Sequence, residues 1–276
     1  MYDLSCNLSD LTDKVEALVR RSGDIILEHW RHPSHVRHKG RIDLVTETDE
    51  AVEAFLVQEL QQLVPQAGIL AEEGDAFGPG TDGLCWIIDP VDGTTNFVHR
   101  LPHVGTSVAL WDKGEPVLGI VNVPMLHECY RACRGGGAFR NGVRLAVSDA
   151  DRLTDSLVAT GIPYTIREDM PHIMAQLAAV LPQVQNLRRM GAASIDLAYV
   201  ASGQLDAYFE RGLKPWDVAA GILLVTEAGG RISRSDGAPF RFGDEILATN
   251  GHVHEAMRDL LQTAAQTVAQ PGSAPA

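Results

Sequence analysis

Cysteine is scarce: 276 residues carry only Cys6, Cys85, Cys129 and Cys133, with no pair of CxxC knuckles. That excludes a zinc-knuckle framework and leaves reduced, structural thiols as the expected state, although Cys129 and Cys133 stand close enough in sequence to meet. Positive charge is short as well. Against 36 Asp+Glu there are 23 Lys+Arg, a formal net charge of −13, which argues against a general nucleic-acid binder because phosphate backbones recruit positive surfaces. No uncharged apolar run approaches the roughly 20 residues that cross a bilayer. The opening MYDLSCNLSDL has no basic stretch followed by an apolar one, so no secretory signal is expected and the expected location is the cytoplasm. No internal repeat is visible.

What is present suits a globular protein of one large domain or two intimately packed halves, with 45% hydrophobic and 21% charged residues. Residues 9–30 read as an amphipathic helix, with Ser9 as cap and Leu11, Val15, Leu18, Ile25 and Ile26 near helical spacing. The basic segment 31–41 reads as an exposed loop or ragged hairpin. A second helix is expected from Thr48 to Leu63, ended by Pro65. Strands are expected at 68–71, 84–88, 104–110, 117–123, 127–133, 156–160, 205–209, 230–233 and 245–249, and helices at 171–181, 192–202 and 215–228. A last helix from about 252 should dissolve into a disordered tail, 266–276. Helices and strands mix without strict βαβ alternation, so the fold class is α+β, layered, with largely antiparallel sheets. Two subdomains are expected, roughly 1–145 and 146–265.

The chemistry concentrates where apolar runs end in carboxylates. Trp86-Ile87-Ile88-Asp89-Pro90-Val91-Asp92-Gly93-Thr94-Thr95-Asn96-Phe97 places two aspartates at an expected strand end, partly buried and open to water. Hard oxygen donors at that spacing suit Mg²⁺, and amides of Gly93 and Thr94 opening a helix would face an anion. Asp-Pro and Asp-Gly are equally turn dipeptides, so this stretch alone settles little. Ile69-Leu70-Ala71-Glu72-Glu73-Gly74 repeats the pattern; of its adjacent carboxylates one is expected to be solvated and the other is a candidate ligand. Leu213-Lys214-Pro215-Trp216-Asp217 puts an aspartate in a helix first turn, where it is also simply a good partner for the helix dipole.

In order, Asp43 to Asp49, Ala71-Glu72-Glu73, Trp86 to Phe97, Gly137 to Gly142, and Gly191 to Gly230 with Trp216-Asp217 inside resemble the inositol monophosphatase family of lithium-sensitive, metal-dependent phosphatases, over roughly residues 10–260. The resemblance implies an α-β-α-β-α sandwich and a homodimer. It also implies two or three Mg²⁺ ions. Glu72, Asp89 and the Val91 carbonyl would hold one. Asp89 would bridge to a second, completed by Asp92 and Asp217, and a third would sit near Glu72. Ions of such a pair stand about 3.5–4 Å apart. The nucleophile implied is water, oriented by Thr94 with Asp49, and no serine or cysteine in these segments has an obvious base beside it. Phosphate would rest on Gly93 and Thr94, and the polyol would be read by Asp92, Asp217, Glu210 and Gly191-Ala192-Ala193. Ala192 replaces a threonine common in relatives, which weakens the case for inositol itself. Lys39 matches a loop residue that approaches the site, and a solvated lysine explains it equally well. A small phosphorylated polyol is the expected substrate, inositol 1-phosphate first, with histidinol phosphate and fructose 1,6-bisphosphate as alternatives. Lithium inhibition is part of the same expectation. The reading of another class is a non-catalytic regulator that binds RNA polymerase or another protein.

Overall fold

The amphipathic first segment forms α1 (Leu8–Arg31), with Leu11, Val15, Val19 and Ile26 buried. Ser9, expected as its cap, lies inside its first turn. This computed structural model describes residues 8–31, 36–38, 44–74, 76, 78 and 80–269. β1 (Val36–His38), in the basic segment, pairs antiparallel over three residue pairs with β2 (Leu44–Thr46), which lies beyond it; Lys39 lies outside the described residues. α2 (Glu47–Leu63) follows, closed at its start by a reciprocal cap. The Thr48 amide donates to Thr46 Oγ1, and the Thr46 amide donates back to Asp49.

A seven-stranded sheet is then built from β3 (Gly68–Ala71), β4 (Cys85–Asp92), β5 (Gly105–Asp112), β6 (Glu115–Val123), β7 (Glu128–Cys133), β8 (Gly137–Arg140) and β9 (Val143–Arg144), in that spatial order. Only β3 and β4 run parallel. The short α3 (Thr94–Val98) leaves the end of β4. The strands β8 and β9 were not legible in the sequence, because Gly135-Gly136-Gly137 and Asn141-Gly142 read as turns.

The second sheet combines β10 (Leu157–Thr160), β11 (Asn186–Arg188), β12 (Ala207–Glu210), β13 (Arg231–Arg234) and β14 (Ile246–Thr249), ordered β11-β10-β12-β14-β13. Its β10 is parallel to both neighbours and the remaining pairs are antiparallel. Interleaved are α4 (Ile166–Val180), α5 (Ala193–Ala201), α6 (Pro215–Glu227) and α7 (His254–Ala269). α4 opens at Ile166 rather than 171, since Pro171 sits within the helix instead of at its first position. α7 continues to Ala269, past the point where a disordered tail was expected, and residues 270–276 lie outside those described.

The layers follow from period-two burial. Along β4, Trp86 and Ile88 pack in the core beneath α1 and α2, while Cys85 and Ile87 join the core shared with α5 and α6. α6 lies close to the first sheet because Gly119 of β6 has no side chain: a Cβ there would stand 2.9 Å from Ala220 Cα. α4 and α7 cover the far face of the second sheet, where Phe209, Leu247, Val253 and Met257 are buried together. The result is α-β-α-β-α with largely antiparallel sheets, as expected. Cys85, Cys129 and Cys133 are free thiols, and Cys6 lies outside the described residues. No helix among the described residues is long and apolar enough to cross a membrane.

Candidate active site

The end of β4 is irregular. The pairing with β5 shifts between Asp89 and Asp92, where Pro90 brings no amide donor. The turn is held from within. The Val91 amide donates to Asp89 Oδ1 at 3.1 Å, and Thr106 Oγ1 donates to the Pro90 carbonyl at 2.9 Å. Gly93 then takes φ +91, with room for no side chain, since a Cβ would stand 2.8 Å from the His103 carbonyl. This turn starts α3 and brings Thr94 Oγ1 to 3.2 Å from Asp49 Oδ1 and 3.0 Å from the Val91 carbonyl.

The segments converge on one cavity of about 350 Å³. Glu72 enters from the end of β3, Asp89, Val91 and Asp92 from β4, and Gly93 and Thr94 from the start of α3. Gly191, Ala192 and Ala193 enter from the approach to α5, Glu210 from the end of β12, and Asp217 from the first turn of α6. Asp49 does not line the cavity and stands behind Thr94. Asp89 and Asp92, expected to be partly buried, are only 2% and 8% exposed, because α5, α6 and the second sheet close over the strand end. Glu73, expected as the solvated one of its pair, is half-buried. Its amide donates to Glu53 Oε2 and it lines a second cavity with Glu50 and Glu53.

Crowded carboxylates resist ionisation. Burial pushes Asp89 well above the usual range, and Glu72, Asp92, Asp217 and Asp49 push it further. Burial and then Asp92 raise Asp217, against the Lys214 amide, which donates to Asp217 Oδ2 at 2.6 Å. Asp92 is raised by burial, but donors from Ser194 and Ala193 and the charge of Arg189 oppose this. Burial lifts Glu210 to about 7, with Tyr208 and Arg189 pulling the other way. Among the described residues, no three such side chains are gathered closely enough to form a finished metal centre. The donor set still fits divalent cations, because oxygen ligands facing one cavity and repelling one another are what Mg²⁺ would neutralise.

The sequence matches the profile of the inositol monophosphatase family over residues 7–270. The chain belongs to that family. It is 44% identical over 227 residues to the inositol-1-monophosphatase of Rhizobium meliloti, covering 81% of this chain and 85% of that protein. It is 40% identical over 251 residues to a protein of Salmonella typhimurium named Nus factor SuhB, covering 90% and 93%. The solved inositol monophosphatase of Anabaena superposes with TM-score 0.84 at 35% identity, covering 93% of this chain and 97% of that one.

Within this family member, further side chains shape the cavity, and of these only Asn96 stands in the motif from Trp86 to Phe97. Asn96 Nδ2 donates to the carbonyls of His103 at 2.8 Å and Met190 at 2.9 Å, tying α3 to the Gly191 wall. Arg189 lines the cavity as a cation facing Glu210 and Asp92. Asp196 is 1% exposed, with Oδ1 lacking a hydrogen-bond partner, and burial raises it well above the usual range, followed by Asp92 and Glu210. Ser194 donates twice to Asp92. A serine inside a helix pattern looks like any solvated or core polar residue, and the partner of Ser194 stands 102 residues away in the chain; Asn96 stands in the motif, but its tie to Met190, 94 residues away, cannot be read from it.

Proposed function

We propose that this chain is a Mg²⁺-dependent phosphomonoesterase of a small polyol, with inositol 1-phosphate the first substrate to consider and histidinol phosphate or fructose 1,6-bisphosphate the alternatives. The observation that carries the reading is the convergence of Glu72, Asp89, Asp92 and Asp217 on one cavity beside Thr94. In the proposed assignment, Glu72, Asp89, the Val91 carbonyl, Asp92 and Asp217 hold two or three Mg²⁺ ions. When bound, the ions supply Lewis acidity and lower the pKa of water in the site.

The chain's own residues do the rest. Thr94, paired with Asp49, orients the attacking water and takes part in moving its proton. Gly93 and Thr94 present backbone to the phosphate. The polyol lies against Gly191, Ala192 and Ala193, small enough for close backbone approach, and its hydroxyls are read by Asp92, Asp217 and Glu210. Lys39, on the segment before β2, is a further candidate contact. Homodimer assembly and inhibition by lithium at millimolar order belong to the same proposal.

The relatives named Nus factor SuhB support a second reading, a non-catalytic regulator that binds RNA polymerase or another partner. A protein that had given up catalysis would be free to lose its carboxylates; here Glu72, Asp89, Asp92, Thr94 and Asp217 all face the cavity, which favours the enzyme. The test is phosphate release from inositol 1-phosphate, histidinol phosphate, fructose 1,6-bisphosphate and 3′-phosphoadenosine 5′-phosphate, with Mg²⁺ and with EDTA. EDTA-sensitive preference for inositol phosphate is expected. Preference for another substrate keeps the site and changes the specificity, and no metal-dependent release from any would make the regulator the leading reading.

A further inference from the structure

Asp92 is held by a helix that belongs to the other half of the site. The preceding residue at the start of α5, Ala192, has no side chain able to cap it. The Asp92 carboxylate takes that place: Oδ2 accepts the Ser194 amide at 2.8 Å. The Ser194 hydroxyl donates to the same oxygen at 2.5 Å, and Ser194 is fully buried. The amide alone would satisfy the helix terminus, as it would with alanine at this position. The hydroxyl is therefore surplus to capping, and its hydrogen-bond partner is a carboxylate that lines the cavity.

We propose that Ser194 is a positioning residue that fixes the orientation of the Asp92 carboxylate for cation binding. The physical reason is that a carboxylate anchored through one oxygen by two donors cannot swing or turn both oxygens away from the cavity. It meets a cation already oriented, and partners behind a ligand typically govern affinity by about 10–100-fold. The hydroxyl that Ala192 lacks at the cavity wall is not restored by Ser194, because Ser194 spends its proton on Asp92. Its effect should therefore fall on cation affinity rather than on polyol contact. This inference rests on the metal-dependent reading given above.

The experiment compares wild type, S194A and S194T by two Mg²⁺ titrations of metal-stripped protein. One follows melting temperature without substrate, and the other follows the rate of phosphate release from inositol 1-phosphate. Expected for S194A are an unchanged melting temperature without metal, a Mg²⁺ midpoint raised about tenfold in both titrations, and kcat recovered at saturating Mg²⁺. S194T, which keeps the hydroxyl, should stay near wild type. A wild-type midpoint in S194A overturns the inference. So does a loss of metal-free stability with no change of midpoint, which would mark a purely structural serine. If S194A does not fold, S194C, nearly isosteric and with only a weak donor, makes the same comparison. Failure of the underlying reading is separable, because it shows in the wild type: no Mg²⁺ response in either titration overturns both.

Discussion

Replacing Asn96 tests whether the turn after β4 and the Gly191 wall of the cavity form one unit. The side chain is 6% exposed and its amide nitrogen reaches the carbonyls of His103 and Met190, 2.8 and 2.9 Å away, with Gly191 O at 3.5 Å. N96A removes both donors and leaves two inward-facing acceptors without partners. At about 1–3 kcal/mol for each of the two buried groups so stranded, the loss is about 2–6 kcal/mol. At about 2 °C per kcal/mol for a chain of this size, the melting temperature should fall by roughly 4–12 °C. N96D sharpens the test. It conserves shape, but an ionised carboxylate offers only acceptors, so it sets charge against the same carbonyls and should cost more than N96A at neutral pH. Urea unfolding followed by circular dichroism gives both values. If N96D is milder than N96A, shape rather than hydrogen bonding explains Asn96. If both lie within about 0.5 kcal/mol of wild type, the tie between the two walls is not a real contribution.

D89N should reduce phosphate release to background while the metal-free protein melts no lower than wild type, because the change removes the charge that burial and Glu72, Asp92 and Asp217 oppose; a destabilised, still active D89N contradicts this. In G161A a Cβ would overlap the Glu210 carboxyl, so KM for the polyol should rise several-fold with the Mg²⁺ midpoint unchanged, and an unmoved KM removes Glu210 from substrate recognition. His254 is fully buried between Ser233 Oγ and Thr249 Oγ1, each 2.9 Å away. Burial, then Arg231, hold it down at about 4 against the opposite pull of Glu255. Because the folded value is depressed, the unfolded chain binds the proton more readily. Stability is therefore complete above about pH 6.5 and falls by up to about 3 kcal/mol toward pH 4. Urea midpoints across that range should slope in wild type and less steeply in H254Q, and equal slopes refute the assignment.

Much of the fold was legible because period and punctuation agree with burial. GILA of β3 and the run from Cys85 to Ile88 are bounded by acidic or turn residues in sequence and lie deep in the sheet in space. Where the two disagree, the sequence misleads. Glycines at 135–137 read as a loop yet lead directly into β8, and Pro171 reads as a helix start yet lies inside α4. At the site, carboxylates at element ends could be picked out, but their depth could not. Whether Asp92 is wet or 8% exposed is decided by α5 and the second sheet, more than sixty residues farther along. Ser194 and Asp196 stayed hidden, and so did the tie that Asn96 makes from within the motif, for the same reason: each matters through a partner supplied by the tertiary fold.

Three of the aspartates assigned to the site in the proposed function also serve helix starts. Asp49 accepts the Thr46 amide at the start of α2, Asp217 accepts the Lys214 amide at the start of α6, and Asp92 accepts the Ser194 amide at the start of α5. A helix N-terminus favours negative charge, so each helix start opposes, without cancelling, the burial that raises these aspartates. Charge and capping can be separated at Asp217. D217N keeps an oxygen that accepts the Lys214 amide but removes the charge, whereas D217A removes both. D217N should therefore lose turnover and Mg²⁺ response with the fold intact, while D217A should lose a further ~1 kcal/mol of stability with the cap. Equal stability of the two variants would mean that the amide bond to Asp217 adds nothing measurable to α6. Turnover persisting in folded D217N would remove Asp217 from the proposed metal ligands.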